Sequence, residues 1–188
     1  MRNALLAYIL LLPFFCFSQN AKLLLGPEYN FYPAGHLIGF QAEYSPKQNH
    51  HSYNTRLAAN ITRRKDFSGL NDNEQGNGFG GSLGYRYYFN TECNGIYLGT
   101  RADLWFITVS WQDSSELIQK GETKITVLQP TFELGYLFKL KKGWELGTAF
   151  VNGAEINTKM DGEPVGQGWV TLWQIRISKN LFYQKNNL

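Results

Sequence analysis

From about residue 23 onward, apolar and polar positions alternate with a period of two in eight separate runs, the pattern of strands with one apolar and one polar face. In "LIGFQAEY", Ile38, Phe40, Ala42 and Tyr44 share a face opposite Gln41 and Glu43. In "YNTRLAANIT", Tyr53, Thr55, Leu57, Ala59 and Ile61 oppose Asn54, Arg56 and Asn60. The fourth run sets Leu83, Tyr85, Tyr87 and Phe89 against Ser82, Gly84 and Arg86. The fifth sets Ile96, Leu98, Ala102, Leu104 and Phe106 against Gly99, Arg101 and Asp103. The sixth sets Leu128, Pro130, Phe132, Leu134, Tyr136 and Phe138 against Gln129, Thr131 and Glu133. Trp144, Leu146, Thr148 and Phe150 mark the seventh, and Trp169, Thr171, Trp173, Ile175 and Ile177 the eighth. The first, around Leu23 to Phe31, is the least regular, because Pro27 interrupts it and Leu24 falls on its polar face.

The connections alternate as well. Those after the second, fourth and sixth runs are short and polar, at Ser45–His51, Asn90–Asn94 and Lys139–Gly143. Those after the third, fifth and seventh are long and rich in Gly, Asp, Asn and Glu, at Arg63–Gly78, Gln112–Thr123 and Asn157–Gln167. Only "PAGH", after the first run, is short where a long loop is expected. Short turns on one side and long loops on the other is the arrangement of an outer-membrane barrel.

Ends and composition narrow the picture. "MRN", the apolar run "ALLAYILLLPFFCF" and "SQN" follow the order of a secretory signal peptide, cleaved before Gln19. The run is shorter than the roughly 20 residues a membrane-spanning helix needs. Residues 19–188 then form one domain, in which Cys93 is the only cysteine and no intrachain disulfide can form. Lysines are scattered over turns and loops, and no basic stripe suggests nucleic acid.

Alternation alone does not say which face is outside, since a soluble lipocalin-like barrel shows the same period. Volume favours the apolar face outward: an eight-stranded lumen is barely wide enough for its own side chains, and the apolar face carries many aromatic rings. Charge agrees. The central apolar positions hold no charged residue, whereas the polar face holds Glu28, Glu43, Asp103, Glu133 and Glu145 with Arg56, Arg86, Arg101 and Arg176. A cation on the lipid face would cost about 2–4 kcal/mol at the bilayer midplane. Arginine without lysine points to buried pairing through the planar guanidinium fork, and so to an interior polar network of structural purpose. Finally, Tyr44, Tyr53, Tyr85, Tyr87, Phe89, Tyr136, Phe138 and Trp144 bracket the short turns, as an interfacial aromatic girdle would.

The segments "GYRYYFN", "GIYLGTRADLWF", "LQPTFELGYLF" and "GEPVGQGWV" resemble the small outer-membrane β-barrel proteins of Gram-negative bacteria, the OmpA-barrel and OmpX-like class, over essentially the whole chain after the leader. The resemblance implies an all-β, eight-stranded antiparallel up-and-down transmembrane barrel in the outer membrane. It also implies a monomer among outer-membrane lipids, assembled by the barrel-assembly machinery, with extracellular loops that meet an outside ligand or serve adhesion, envelope integrity or recognition. Such barrels often end on an aromatic residue, whereas this chain continues "LFYQKNNL", leaving Phe182 and Tyr183 to serve as the assembly signal.

Chemistry is sparse. His50, His51 and Ser52, with Glu43 nearby, are the only candidates for a hydrolase, as in a lipid A deacylase. Their order, His-Ser-Tyr-Asn, departs from that family's His-x-Ser-Asn, and they fall in a short turn. "GNGFGGSLG" lacks the Gly-Lys-Ser/Thr ending of a phosphate loop. Asp72, Glu74, Asp113 and Glu116 lack calcium-loop spacing. No catalytic residue, cofactor or metal site is expected. The leading expectation is a non-enzymatic surface barrel with a plugged lumen; the alternatives are a lipid-modifying outer-membrane enzyme or a soluble periplasmic binding barrel.

Overall fold

The computed structural model describes residues 21–46, 49–64, 73–113 and 119–183. The expected leader, residues 1–18, lies outside them. The described residues form eight strands: β1 (Lys22–Tyr32), β2 (Gly35–Ser45), β3 (His51–Arg64), β4 (Asn73–Tyr88), β5 (Gly95–Asp113), β6 (Gln119–Lys139), β7 (Trp144–Asp161) and β8 (Gly168–Asn180). Each pairs antiparallel with the next, and β8 returns to β1 to close a barrel in sequence order. One turn of 3-10 helix, Lys141–Gly143, joins β6 to β7, with Lys142 and Gly143 both at positive φ.

The apolar face is outside. Leu57, Phe132 and Trp169 are 75%, 73% and 77% exposed, while Glu43, Arg86 and Asp103 are fully buried. The barrel is inside-out relative to a soluble one, which makes it a transmembrane barrel. On β4, β5 and β6 the lipid-facing residues run over Phe79–Phe89, Ile96–Phe106 and Leu128–Phe138. Each span matches the roughly 9–11 residues a tilted strand needs to cross a bilayer.

Two features depart from the sequence reading. The strands reach further than the loop compositions suggested. β3 runs through Arg64 and β4 starts at Asn73, so much of Arg63–Gly78 is strand; β5 reaches Asp113, β6 starts at Gln119 and β7 reaches Asp161. Cross-strand pairing overrides weak local propensity here: Arg64 faces Glu74 in register, and Gly76 and Gly78 lie against Val109 and Ile107.

The second departure is that large rings do enter the lumen. Tyr88, Tyr97 and Trp105 are essentially buried inside it. Glycine on the adjacent strand makes the room: a Cβ on Gly80 would lie 2.5 Å from the Trp105 ring, and one on Gly135 would lie 2.3 Å from that of Tyr97.

Above the belt the polarity reverses. On β5 and β6, Ile107, Val109, Ile125 and Val127 point inward and are buried, while Ser110, Glu122 and Lys124 point outward and are exposed. The inward residues belong to one buried apolar cluster that also takes in Val151, Val170 and Leu172 lower in the wall. The wall is uneven in height. β5 and β6 have 19 and 21 residues against 11 in β1 and β2, so β4–β7 project as a curved sheet, here called the head.

This reversal sets a boundary that substitution can locate. Phe132→Arg should destabilise the barrel by about 2–4 kcal/mol in lipid vesicles, while Thr108→Lys, above the belt, should cost under about 1 kcal/mol. Urea unfolding of the reconstituted variants measures both, and equal costs would refute the assigned boundary. The closed barrel should also migrate faster on a detergent gel unheated than boiled.

Candidate functional site

The strand period sends every second side chain of eight strands into one lumen, where the predicted ionisable residues meet in layers. Glu43 of β2 is one hub. It accepts hydrogen bonds from Arg86 Nη1 at 2.6 Å, from Ser52 Oγ and Tyr88 Oη at 2.7 Å each, and from Arg176 Nη1. Arg86 also donates through Nε to Glu133 Oε2 at 2.8 Å. In the next layer Arg56 joins Glu28 and Asp103, each at 2.6 Å. Arg101 links the layers, pairing with Glu133 at 2.9 Å, Asp103 at 3.2 Å and Glu28 at 3.4 Å.

The lumen rings brace these cations. Arg86 and Arg176 lie over Tyr97, with centroid distances of 5.1 and 5.5 Å, and Arg56 lies over Trp105 at 5.3 Å. A Cβ on Gly147 would sit 2.4 Å from Arg176 Nε, so only glycine leaves that side chain its path. Glu145 stands apart from the arginines. It pairs at 2.7 Å with Lys22 at the short-turn end, where Lys22 also reaches the Cys93 carbonyl. Cys93 is buried there, which pushes its thiol up from the ordinary cysteine range.

Above the charged layers, Trp105 donates to Gln129 Oε1 at 3.2 Å and begins the apolar cluster. At the far mouth lies a further cluster that the strand alternation does not single out. Arg64 donates to Glu74 at 2.7 Å, to Glu155 at 3.2 Å and to the Gly166 carbonyl, while Gly166 N–H donates back to Glu74 at 3.0 Å. This ties β3, β4, β7 and the β7–β8 connection together. It borders a cavity of about 350 Å³ shared with Tyr32, Ala34 and Trp169. The signal available was Arg64 facing Glu74 in register, hidden because both fell in a segment read as loop.

The girdle residues Tyr44, Tyr53, Tyr85, Tyr87, Phe89, Tyr136, Phe138 and Trp144 all lie on the outer face at or near the short-turn end. Several touch: Tyr53 and Tyr85 have centroids 5.9 Å apart, Tyr87 meets Phe89 edge-on, and Tyr136 and Phe138 are 4.3 Å apart.

The hydrolase candidates do not converge. Ser52 points into the lumen toward Glu43, whereas His51 faces outward to the Tyr85 hydroxyl and His50 hydrogen-bonds the Tyr88 carbonyl. A base must reach its nucleophile, and neither imidazole is hydrogen-bonded to Ser52. Among the described residues, no group of three or more His, Cys, Asp or Glu side chains is placed to hold a metal ion.

No protein-family model matches the chain, and no curated protein matches its sequence. Solved structures give loose likenesses. The N-terminal β-barrel domain of Pseudomonas aeruginosa OprF is 14% identical, with a TM-score of 0.47 over 85% of this chain and 98% of that one. Neisserial surface protein A is 10% identical, with a TM-score of 0.49 over 87% and 98%. Ail of Yersinia pestis, solved with the heparin analogue sucrose octasulfate, is 11% identical, with a TM-score of 0.48 over 86% and 97%. Likenesses this loose carry no function across.

The charge layers should be fragile to single changes. Arg86→Leu strands Glu43 and Glu133 against one remaining arginine each, and breaking a buried pair in this way costs about 3–5 kcal/mol. Urea unfolding in vesicles should register that loss. The double change Arg86→Met with Glu133→Gln should recover part of it, because it removes a carboxylate together with its cation. Unchanged unfolding of the single variant would show that these side chains face water.

Proposed function

We propose that this protein is a non-enzymatic barrel of the Gram-negative outer membrane, closed to solutes. Its working part is the projecting head with its loops, exposed outside the cell for adhesion, recognition or envelope integrity. One observation supports the reading: buried side chains follow one another along the lumen. The salt-bridged layers are followed directly by Trp105, Leu37, Leu172 and the apolar interior of the head, all buried. An eight-stranded wall leaves no width beyond its own side chains, so charge and apolar plugs in series leave no route for solutes.

A catalytic role would need a nucleophile with its base, and Ser52 is spent on Glu43 instead. A soluble binding barrel would need an apolar interior throughout and a polar exterior. The belt of exposed Leu, Ile and aromatic side chains argues against that reading. With the lumen closed and the girdle in lipid, the head and loops remain as the surface that can meet a partner, and loops on a rigid scaffold are where binding concentrates.

Two measurements test this. In planar bilayers the purified barrel should show no stable conductance steps; ohmic channels would overturn the closed lumen. On intact cells an epitope inserted after Gly69, in the β3–β4 connection, should be labelled, and one between Lys141 and Lys142 should not be labelled until the outer membrane is opened. Arg64 lies in β3 and is locked by its carboxylates, so trypsin added to intact cells should act at Lys65 rather than at Arg64. The reverse labelling pattern would invert the protein and remove the case for recognition outside the cell.

A further inference from the structure

The outer wall of the head carries a polar groove that the closed-barrel reading leaves unused. Along β4 and β5 the outward residues pair as Asn77 with Thr108, Gln75 with Ser110 and Asn73 with Gln112. Arg63 of β3 stands opposite Gln75, and Lys120 of β6 opposite Gln112. Together they border a shallow cavity of about 350 Å³ on the outside of the sheet, whose lining among the described residues has two cations and no carboxylate. The mouth cavity differs in kind, because the cation there, Arg64, is already held by Glu74, Glu155 and Gly166. Arg63 and Lys120 have no ion-pair partner among the described residues.

Height above the lipid belt identifies what lies alongside. Phe79 and Phe106, with ring centroids 5.7 Å apart, form the last aromatic pair of the belt on these two strands. Gln75 and Ser110 are four residues further up, about 13 Å along the strand at roughly 3.3 Å per residue. That places the groove beside the headgroup layer of the outer leaflet, facing sideways along the membrane rather than up into the medium. An Arg fork and a Lys ammonium suit phosphate oxygens, and the amides and hydroxyl between them suit sugar hydroxyls.

We infer that this groove, Arg63, Gln75, Asn77, Ser110, Gln112 and Lys120, binds the phosphorylated saccharide headgroup of a glycolipid in the surrounding outer leaflet. The inference rests on the outer-membrane reading above. Glu122, outward and facing Ser110 across the β5–β6 pair, lies beside the groove but outside its lining, and opposes the anion. Its removal should strengthen binding.

The test uses the full barrel, first checked for flotation with phosphatidylcholine vesicles and for its unheated gel shift. Failure to float would sink the membrane reading itself, separately from the groove. A fluorescent, phosphorylated and acylated lipopolysaccharide is then titrated against protein in detergent micelles. Arg63→Ala with Lys120→Ala should weaken binding about tenfold, and more at low salt than at high, with the gel shift retained. Glu122→Gln should tighten it, and dephosphorylated lipopolysaccharide should bind as weakly as the double variant. Wild-type affinity in the double variant, or equal competition by phosphatidylcholine, would overturn the proposal. Equal affinity for the de-acylated saccharide would overturn the assignment to a membrane glycolipid.

Discussion

Arg56, Arg86, Arg101 and Arg176 lie within the barrel wall against Glu28, Glu43, Asp103 and Glu133, four cations to four carboxylates among the described residues. Hydrocarbon outside allows no charge on the outer face, and the lumen buries these side chains away from bulk water. Each charge must therefore be neutralised by another side chain. Desolvating these ions is expensive, and their mutual attraction offsets it only when geometry and hydrogen bonds are nearly complete. The glycines opposite Arg176 and Tyr97, the rings under the guanidinium groups and the hydroxyls of Ser52 and Tyr88 all serve that geometry, although each of the four arginines keeps one buried nitrogen with no hydrogen-bond partner among the described residues. The network is thus better understood as a demand on the fold than as a surplus of stability. It specifies which strand faces which, because a slip of one residue would turn every charge toward lipid.

The apolar head works by the opposite arithmetic. Once the strands clear the hydrocarbon, water solvates their outer face, and the ordinary rule of apolar in and polar out returns. Ile107, Val109, Ile125 and Val127 then contribute burial in the usual way, at about 1.5–3 kcal/mol for each fully buried side chain. One continuous sheet therefore obeys two patterning rules along its length. The row where they exchange, near Phe106 and Leu128, marks the membrane surface within the sequence itself.

This exchange also explains what was legible beforehand. In the belt, a two-residue alternation with large apolar residues such as Phe40, Leu83 and Phe132 assigns each side chain to a face, and the barrel follows from eight such runs. In the head the same alternation persists with inverted sense, so "ITVSW" and "KITV" extend the strands while seeming to break the lipid-facing pattern. Residues 73–78 read as loop because Gly, Asn and Glu have low strand propensity, yet they form β4 through pairing that is far away in sequence. Tyr97 and Trp105 were hidden for a related reason. Whether a large ring fits a lumen depends on the neighbouring strand's residue, and Gly135 and Gly80 become neighbours only in the closed register. The Arg64 cluster joins β3 and β4 to β7 and the β7–β8 connection, far away in sequence, so no local pattern announces the whole meeting.

Closure depends on the same charges. The seam between β1 and β8 is an interrupted ladder: its register runs Leu24 and Leu25, then resumes at Glu28, skipping Gly26 and Pro27. Pro27 has no N–H to donate, and an open strand edge cannot persist in hydrocarbon. The seam strands are instead tied across the lumen. Glu28 of β1 binds Arg56 of β3 and Arg101 of β5, while Arg176 of β8 binds Glu43 of β2 and Tyr88 of β4. Each seam strand is therefore anchored to strands that are not its neighbours, through pairs that satisfy their partners only when the ring is complete. An opened seam would expose both an unpaired backbone edge and half-neutralised charges to a medium that solvates neither. Closure is thereby coupled to complete neutralisation of the lumen, and the irregular ladder at Pro27 is tolerated because the side chains behind it hold the two edges together.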